Sequence, residues 1–244
     1  MKILGIRVDN YSKLETLQKV DEFFGSSKQN KIFTPNPEML VDAQKDEYFK
    51  KVLNSGELNV CDGFGLALVG KLHRYAGVDL LLDICKLAEA KNKSVFLLGS
   101  GSDEVLEKTK ENLLKQFPKL QTVGWDKGGK LQIVDFRLQV DNNENEKIVS
   151  DINSLTPDIL FVAFGHSKQE KWIHENLAKM PSVKIAMGVG GSFDYISGKI
   201  KRAPRLMRKF GLEWIYRLIK EPKRIGRIFK ATFVFLWLYL TKYD

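Results

Sequence analysis

Short unbroken apolar runs recur along the chain at Lys2–Val8, Lys31–Thr34, Leu58–Cys61, Ser94–Leu98, Gln121–Gly124, Ile159–Phe164 and Val183–Met187, and read as buried strands. Between them the apolar positions fall at helical spacing. Ser12 caps a first helix with Leu14, Leu17, Val20 and Phe24 on one face, and Glu15 completes a capping box. Further helices are predicted at Pro37–Asn54, Gly65–Tyr75, Asp79–Lys91, Asp103–Phe117 and Ser167–Lys179. Asp126–Asn145 is the least regular stretch and reads as loop with one strand at Leu131–Val134. Alternation at this rhythm predicts an α/β, Rossmann-like fold, a mostly parallel sheet with helices on both faces. In such sheets the carboxyl ends of the strands line one crevice. The polar or glycine-rich strand ends Thr34–Asn36, Asp62–Gly63, Gly99–Gly101, Gly165–Gln169 and Gly188–Asp194 should therefore converge.

The pattern changes after Gly198. Twelve of the 39 Lys and Arg residues lie between Lys199 and Lys230, against only Glu213 and Glu221, and the rest of the chain carries 27 basic and 28 acidic residues. The pI near 9.3 is therefore local to one end. This predicts an α/β catalytic core over residues 1–198 and a basic amphipathic appendage over 199–244 that meets an anionic partner. Its last apolar run, Phe233–Leu240, would cover roughly 12 Å as a helix, enough to dip into a membrane interface and not to cross it.

At 244 residues the chain can bury one substantial core, and 43% hydrophobic with 28% charged residues is ordinary for a soluble globular protein. Cys61 and Cys85 offer neither a disulfide framework nor metal spacing, which suits a reducing compartment. MKILGIRVDN lacks a leader-type apolar core. Gly99-Ser100-Gly101 has Glu104 where a dinucleotide fingerprint needs its third glycine, and the Gly188–Gly191 run has Phe193 there. Gly124–Lys130 fits a phosphate-loop spacing, but Leu131 replaces the magnesium-holding Ser or Thr. There is no Asp-x-Asp pair, and His73, His166 and His174 have no carboxylate or cysteine at ligand spacing, so no metal is expected.

The remaining candidates each have a plainer role. Asp62, directly after a buried strand in Cys-Asp-Gly-Phe-Gly, could cap a helix. Thr34-Pro35-Asn36-Pro37-Glu38 could be a strand-to-helix turn, although two prolines also fix a backbone as a site residue requires. Gln169 and Glu170 could cap the helix that they begin. Arg202, Arg205, Arg208, Arg217, Arg224 and Arg227 could form a solvated face, but Leu206, Phe210, Leu212, Trp214, Ile215 and Leu218 are interleaved with them.

Taken together, these motifs resemble the WecG/TagA/CpsF glycosyltransferases, glycosyltransferase family 26. The matching stretches are TPNPEMLVDAQ (Thr34–Gln44), CDGFGL (Cys61–Leu66), GVDLLLDIC (Gly77–Cys85), FLLGSGSD (Phe96–Asp103), PDILFVAFGHSKQEKWI (Pro157–Ile173), GVGGSFDYISGKIKRAPRLMRKFGLEW (Gly188–Trp214) and YRLIKEPKR (Tyr216–Arg224). Ser167 stands where the family often has proline, and Trp125–Asn145 lacks its Gly-Tyr-Phe element. The resemblance implies inverting transfer of an N-acetylmannosamine-type sugar from a UDP donor to polyprenyl-diphosphate-linked N-acetylglucosamine, in wall teichoic acid, common antigen or capsule assembly. It implies that Asp62 is the general base, that Thr34 and Asn36 line the sugar pocket, and that Gln169 and Asp194 contact the donor. The diphosphate needs N–H donors or positive charge. Gly99, Gly101 and Gly190 at the strand ends, with Arg202, Arg205, Arg217 and Arg224, are the candidates for both. The UDP-sugar is then a substrate and no cofactor is needed. The enzyme would be cytoplasmic and peripheral on the inner face of the cell membrane, held on anionic lipid by the C-terminal segment, with room for a homo-oligomer. A nucleic-acid binder using the basic segment is the alternative, against which FVFLWLYL suits lipid better than phosphate backbone. A nucleotide-dependent oxidoreductase is disfavoured by the missing fingerprint.

Overall fold

The computed structural model describes residues 1–209 and 211–242; of Arg205, Lys209, Arg217, Arg224 and Lys242 only the backbone is described. In order, the elements are β1 (Lys2–Ile3), β2 (Ile6–Arg7), α1 (Lys13–Gly25), β3 (Asn30–Phe33), α2 (Pro37–Asp42), α3 (Glu47–Asn54), β4 (Leu58–Asn59), α4 (Phe64–Gly70) and α5 (Gly77–Ala90). They continue with β5 (Ser94–Gly99), α6 (Asp103–Gln116), β6 (Gln121–Asp126), β7 (Leu131–Val134), β8 (Arg137–Val140), α7 (Asn142–Leu155), β9 (Ile159–Ala163), α8 (Lys168–Asn176), β10 (Ile185–Gly188) and α9 (Ser192–Ile196). The basic segment forms α10 (Arg205–Lys209), α11 (Glu213–Lys220), α12 (Ile225–Phe229) and α13 (Phe235–Lys242), with a π turn at Lys230–Val234 before the last.

Six strands form one parallel sheet in the order β4-β3-β10-β9-β5-β6. Side chains alternate across it. Phe33, Phe96, Leu98, Leu160 and Ala186 enter one core with α2, α3, α7 and α8, while Ile32, Val95, Leu97, Phe161 and Met187 enter the other with α5 and α6. Burial on both faces is why the strands read as unbroken apolar runs. The predicted Rossmann-like α/β architecture is present, with helices after the last strand.

Local differences have local causes. Lys2–Val8 is a tight antiparallel hairpin, because Leu4 and Gly5 both take positive φ, 50° and 78°. The capping box of Ser12 and Glu15 forms, but α1 buries Thr16 and Val20 and leaves Leu14 exposed. The predicted Pro37–Asn54 helix is two helices, because the Asp46 carboxylate caps α3 through Phe49 N at 2.7 Å and also receives the fully buried Lys171 ammonium at 2.6 Å. The irregular stretch holds the β7–β8 hairpin, and α7 follows, its Asn145 accepting the Trp172 indole N–H at 2.8 Å. Phe235 and Leu238 are buried in the core beside Leu40, whereas Phe233, Leu236, Trp237 and Leu240 face outward. Among the described residues no helix is long and apolar enough to cross a membrane.

Candidate active site

The chain leaves β3 for the β4 edge of the sheet and β5 for the β6 edge, so the strand ends between them frame a crevice. From β4 to β5 is four strand spacings, roughly 19 Å, which is long enough for a nucleotide sugar. Asp62 follows β4 at one end of this row, and Gly99–Gly101 follow β5 at the other.

The Asp62 turn is built by contacts with the β3–α2 turn. Asp62 N–H donates to Pro35 O at 3.1 Å, and a Cβ on Gly63 would collide with Pro37. Asp62 does not cap α4: its N-cap is Gly63, without a side-chain hydrogen bond. Instead, the Asp62 carboxylate and the Thr34 hydroxyl lie together over Gly77 at the start of α5, where an added Cβ would meet Thr34 Oγ1 at 3.4 Å and Asp62 Oδ2 at 3.7 Å. A larger residue at 77 would therefore fill the space that these two groups share. Asn36 does cap, its Oδ1 accepting Met39 N–H at 3.1 Å to start α2. Neighbouring Cys61 is no nucleophile, because burial and then the Asp62 charge push its thiol up to about 12.

In the middle of the row Gln169 is buried, with both ends of its amide engaged. Its Oε1 accepts Gly190 N–H at 2.9 Å and its Nε2 donates to Glu170 Oε1 at 2.7 Å. Burial raises the Glu170 carboxyl above its usual range, and its Oε2 has no hydrogen-bond partner. Gly190 holds φ +51°. Asp194 lies 3.2 Å from the Lys199 ammonium. At β5, Gly99 packs so tightly on the Ala163 backbone that a Cβ would come within 2.8 Å of it. Gly101 N–H donates to Lys127 O at 3.1 Å, and its Cα faces open space. The N–H groups of Gly101 and Gly190 are thus already used within the protein. Between the glycines Ser100, a residue not singled out from the sequence, buries a hydroxyl without a partner.

The arginines divide. Arg202 grips Asp79 with two nitrogens at 2.6 and 3.1 Å and packs over Tyr195. The Arg205, Arg217 and Arg224 side chains lie outside the described residues. Arg227 forms a two-pronged pair with Glu38 at 2.9 Å on each prong, and Lys230 donates to Asp42 Oδ1 at 2.8 Å. A purely solvated face is therefore excluded for Arg202 and Arg227. On its other oxygen Asp42 accepts His166 Nε2 at 2.9 Å. Burial opposes charge on His166, but the Asp42 hydrogen bond and the Glu38 and Glu170 charges outweigh it and raise its pKa. Burial likewise disfavours the Asp42 carboxylate, yet the hydrogen bonds from His166 and Lys230 hold its pKa below the usual value.

Spacing alone gave His166 no acidic partner; the fold supplies two. Glu38, Asp42 and His166 bring three potential ligand atoms within 4.8 Å of one another. Arg227 pairs with Glu38 and Lys230 with Asp42, so both carboxylates of this cluster are ion-paired within the chain.

Comparison with known proteins agrees over nearly the whole chain. The model of the glycosyl transferase WecG/TagA/CpsF family matches residues 1–243. An N-acetylglucosaminyldiphosphoundecaprenol N-acetyl-beta-D-mannosaminyltransferase of Staphylococcus aureus strain MW2 is 32% identical over 245 aligned residues, covering 96% of this chain and 90% of the relative. The protein of the same description from strain MRSA252 is 33% identical over the same shares. A crevice of strand ends with an aspartate at one end, and a match that runs from the first strand into the last helix, lead to one conclusion: the chain belongs to the WecG/TagA/CpsF family of glycosyltransferases.

Proposed function

We propose that the protein is an inverting transferase that moves an N-acetylmannosamine-type sugar from UDP to polyprenyl-diphosphate-linked N-acetylglucosamine, for a wall teichoic acid-like polysaccharide. The observation that carries this reading is the shared placement of the Asp62 carboxylate and the Thr34 hydroxyl over Gly77, at the crevice end, with Asp62 not the cap of the helix that follows it. In the reaction the acceptor hydroxyl attacks the anomeric carbon while an Asp62 oxygen takes its proton, the glycosidic bond forms, and the bond to UDP breaks with inversion. Thr34 and Asn36 border the sugar. Gln169, locked by Glu170, fixes the glycine loop of β10 against which the donor lies, with Asp194 beyond it.

Charge on the departing diphosphate needs cations or N–H donors aimed at it. With the N–H groups of Gly101 and Gly190 taken, the load falls on guanidinium groups of the basic segment, Arg205, Arg217 and Arg224 above all, which suit a two-pronged grip on phosphate. The glycines serve by leaving room. No metal is required in this scheme. Residues 199–244 then act as an appendage with two jobs, completing the site and docking on anionic lipid. The outward Phe233, Leu236, Trp237 and Leu240 sit at headgroup depth, which makes the enzyme a peripheral one on the cytoplasmic face.

The test is UDP release by the purified full chain given UDP-N-acetylmannosamine and a lipid-diphosphate-N-acetylglucosamine, with and without EDTA. Release that needs both substrates and survives EDTA is expected. Absence of release with every UDP-sugar tried would overturn the reading, and loss in EDTA restored by magnesium would overturn its metal-free chemistry.

A further inference from the structure

A cleft of about 230 Å³ opens where the basic segment meets the start of α5. Lys13, Arg74, Arg202 and Arg208 line it against only two carboxylates, Asp79 and Glu213. Those carboxylates are taken: Asp79 by Arg202 at 2.6 Å, Glu213 by Arg74 at 3.6 Å and Arg202 at 3.7 Å. Lys13 pairs with Asp83 at 2.6 Å. Arg208 has no ion-pair partner among the described residues, and its Nε is buried without a hydrogen bond. A desolvated guanidinium nitrogen left unpaired is destabilising unless an anion completes it. Above it α5, fourteen residues long, has Ala76 as its N-cap, whose methyl group cannot accept the first N–H groups. The field of that helix end favours negative charge at the same place.

The position of the cleft identifies its ligand. Arg74 Nε donates to Asp62 O at 2.8 Å, and Gly77 at the start of α5 adjoins the Asp62 carboxylate, so the cleft begins where the proposed base ends. Tyr75 and Arg74 tie its wall to the end of β4 through Cys61 O and Asp62 O, whereas the proposed nucleotide crevice runs from Asp62 across the sheet towards β9 and β5. Inverting displacement places the attacking hydroxyl opposite the leaving diphosphate, so the donor's own phosphates lie on the crevice side. Leu206 and Leu212, both exposed, flank Arg208 in sequence on the outer side.

We propose that this cleft, with Arg208 as its unpaired cation, is the subsite for the diphosphate of the isoprenoid-linked acceptor. The sugar hydroxyl reaches Asp62 one pyranose ring away, and the isoprenoid leaves along the apolar residues of α10 and α11. The cleft's net charge of two positive, from four cations and two carboxylates, balances the two negative charges of a diphosphate diester. The inference rests on the transferase reading for the identity of the sugar, but the diphosphate site is testable without turnover.

The experiment is calorimetric titration of farnesyl diphosphate into the full chain and its Arg208→Gln and Arg208→Lys variants, with UDP titrated in parallel. The wild type should bind farnesyl diphosphate, Arg208→Gln about tenfold or more weaker, equivalent to about 1.4 kcal/mol, and Arg208→Lys in between. UDP affinity should hold in all three, and in turnover only the KM for the acceptor should rise. Equal farnesyl diphosphate binding by wild type and Arg208→Gln, or no binding by the wild type, overturns the proposal. A parallel loss of UDP affinity also overturns it, because the diphosphate would then be the donor's. A shared melting temperature guards against misfolding, and Lys13→Gln takes the same measurements if Arg208→Gln does not fold. Failure of every UDP-sugar to turn over, with farnesyl diphosphate binding as expected, would remove the transferase reading and leave the site.

Discussion

The chain up to Gly198 and the segment after it solve opposite problems. The first is close to charge-neutral and buries its strands on both faces of the sheet, so that its polar groups are concentrated at the strand ends. The second is strongly basic and holds to the body at points that include Arg202 on Asp79, Glu213 on Arg74, Arg227 on Glu38, Lys230 on Asp42, and Phe235 and Leu238 in the core. Much of the rest of its apolar surface is exposed. The difference teaches that the crevice is built by packing of the body, whereas most of the excess positive charge and much of the exposed apolar surface lie in the strap that follows it.

The sharpest way to break that division is Asp62→Asn. The amide cannot accept a proton, so turnover should fall about 10²–10⁴-fold with no change in melting temperature. Near-normal turnover would mean that the reacting base is not in the body's crevice. Next in size is Phe235→Ala, whose side chain is fully buried. It should destabilise the chain by about 3–5 kcal/mol, whereas Trp237→Ala, 63% exposed, should change stability by less than about 0.5 kcal/mol. Denaturant titration separates the two, and equal effects would erase the inward–outward split in α13.

The smallest effect is a pH dependence at the strap. The pKa of His166 is raised above 6.5 in the folded protein. Its pair with Asp42 therefore contributes fully below pH 6.5 and is lost as the pH climbs through the raised value. Asp42, lowered from 3.8, loses its part only as the pH falls through its own folded value. His166→Gln should thus be less stable than wild type by about 0.5–1 kcal/mol at mildly acidic pH and nearly equal to it at alkaline pH. A difference that grows with pH would reverse the assignment.

The body was largely legible because its sheet is parallel and buried, so each strand is an apolar run bounded by glycine or a polar residue. The convergence of strand ends followed from that topology. What escaped were choices made by single residues: Leu4 entering the left-handed region, and Asp46 capping α3 while holding Lys171. α7 escaped because its apolar positions are few, and part of its inner face is the polar pairing of Asn145 with Asn176 and Trp172. The wiring of the candidate site was not legible. Asp42 and His166 lie 124 positions apart, and nothing in either neighbourhood signals the other. Nor could spacing show that Gln169 is spent on Gly190, or that Arg208 is left unpaired beside Asp79.

The division of labour is tested most directly by a full chain carrying Leu236→Ser, Trp237→Ser and Leu240→Ser, with Phe235 and Leu238 kept. Its turnover is compared with wild type on a water-soluble short-chain acceptor and on an undecaprenyl acceptor in anionic liposomes. With the inward residues intact, turnover on the soluble acceptor should stay within about threefold of wild type. In liposomes it should fall about tenfold or more, since each buried apolar side chain that is lost removes about 1.5–3 kcal/mol of membrane contact. Equal losses on both acceptors would contradict the account, because the outward face of α13 would then belong to the active site and not to the membrane.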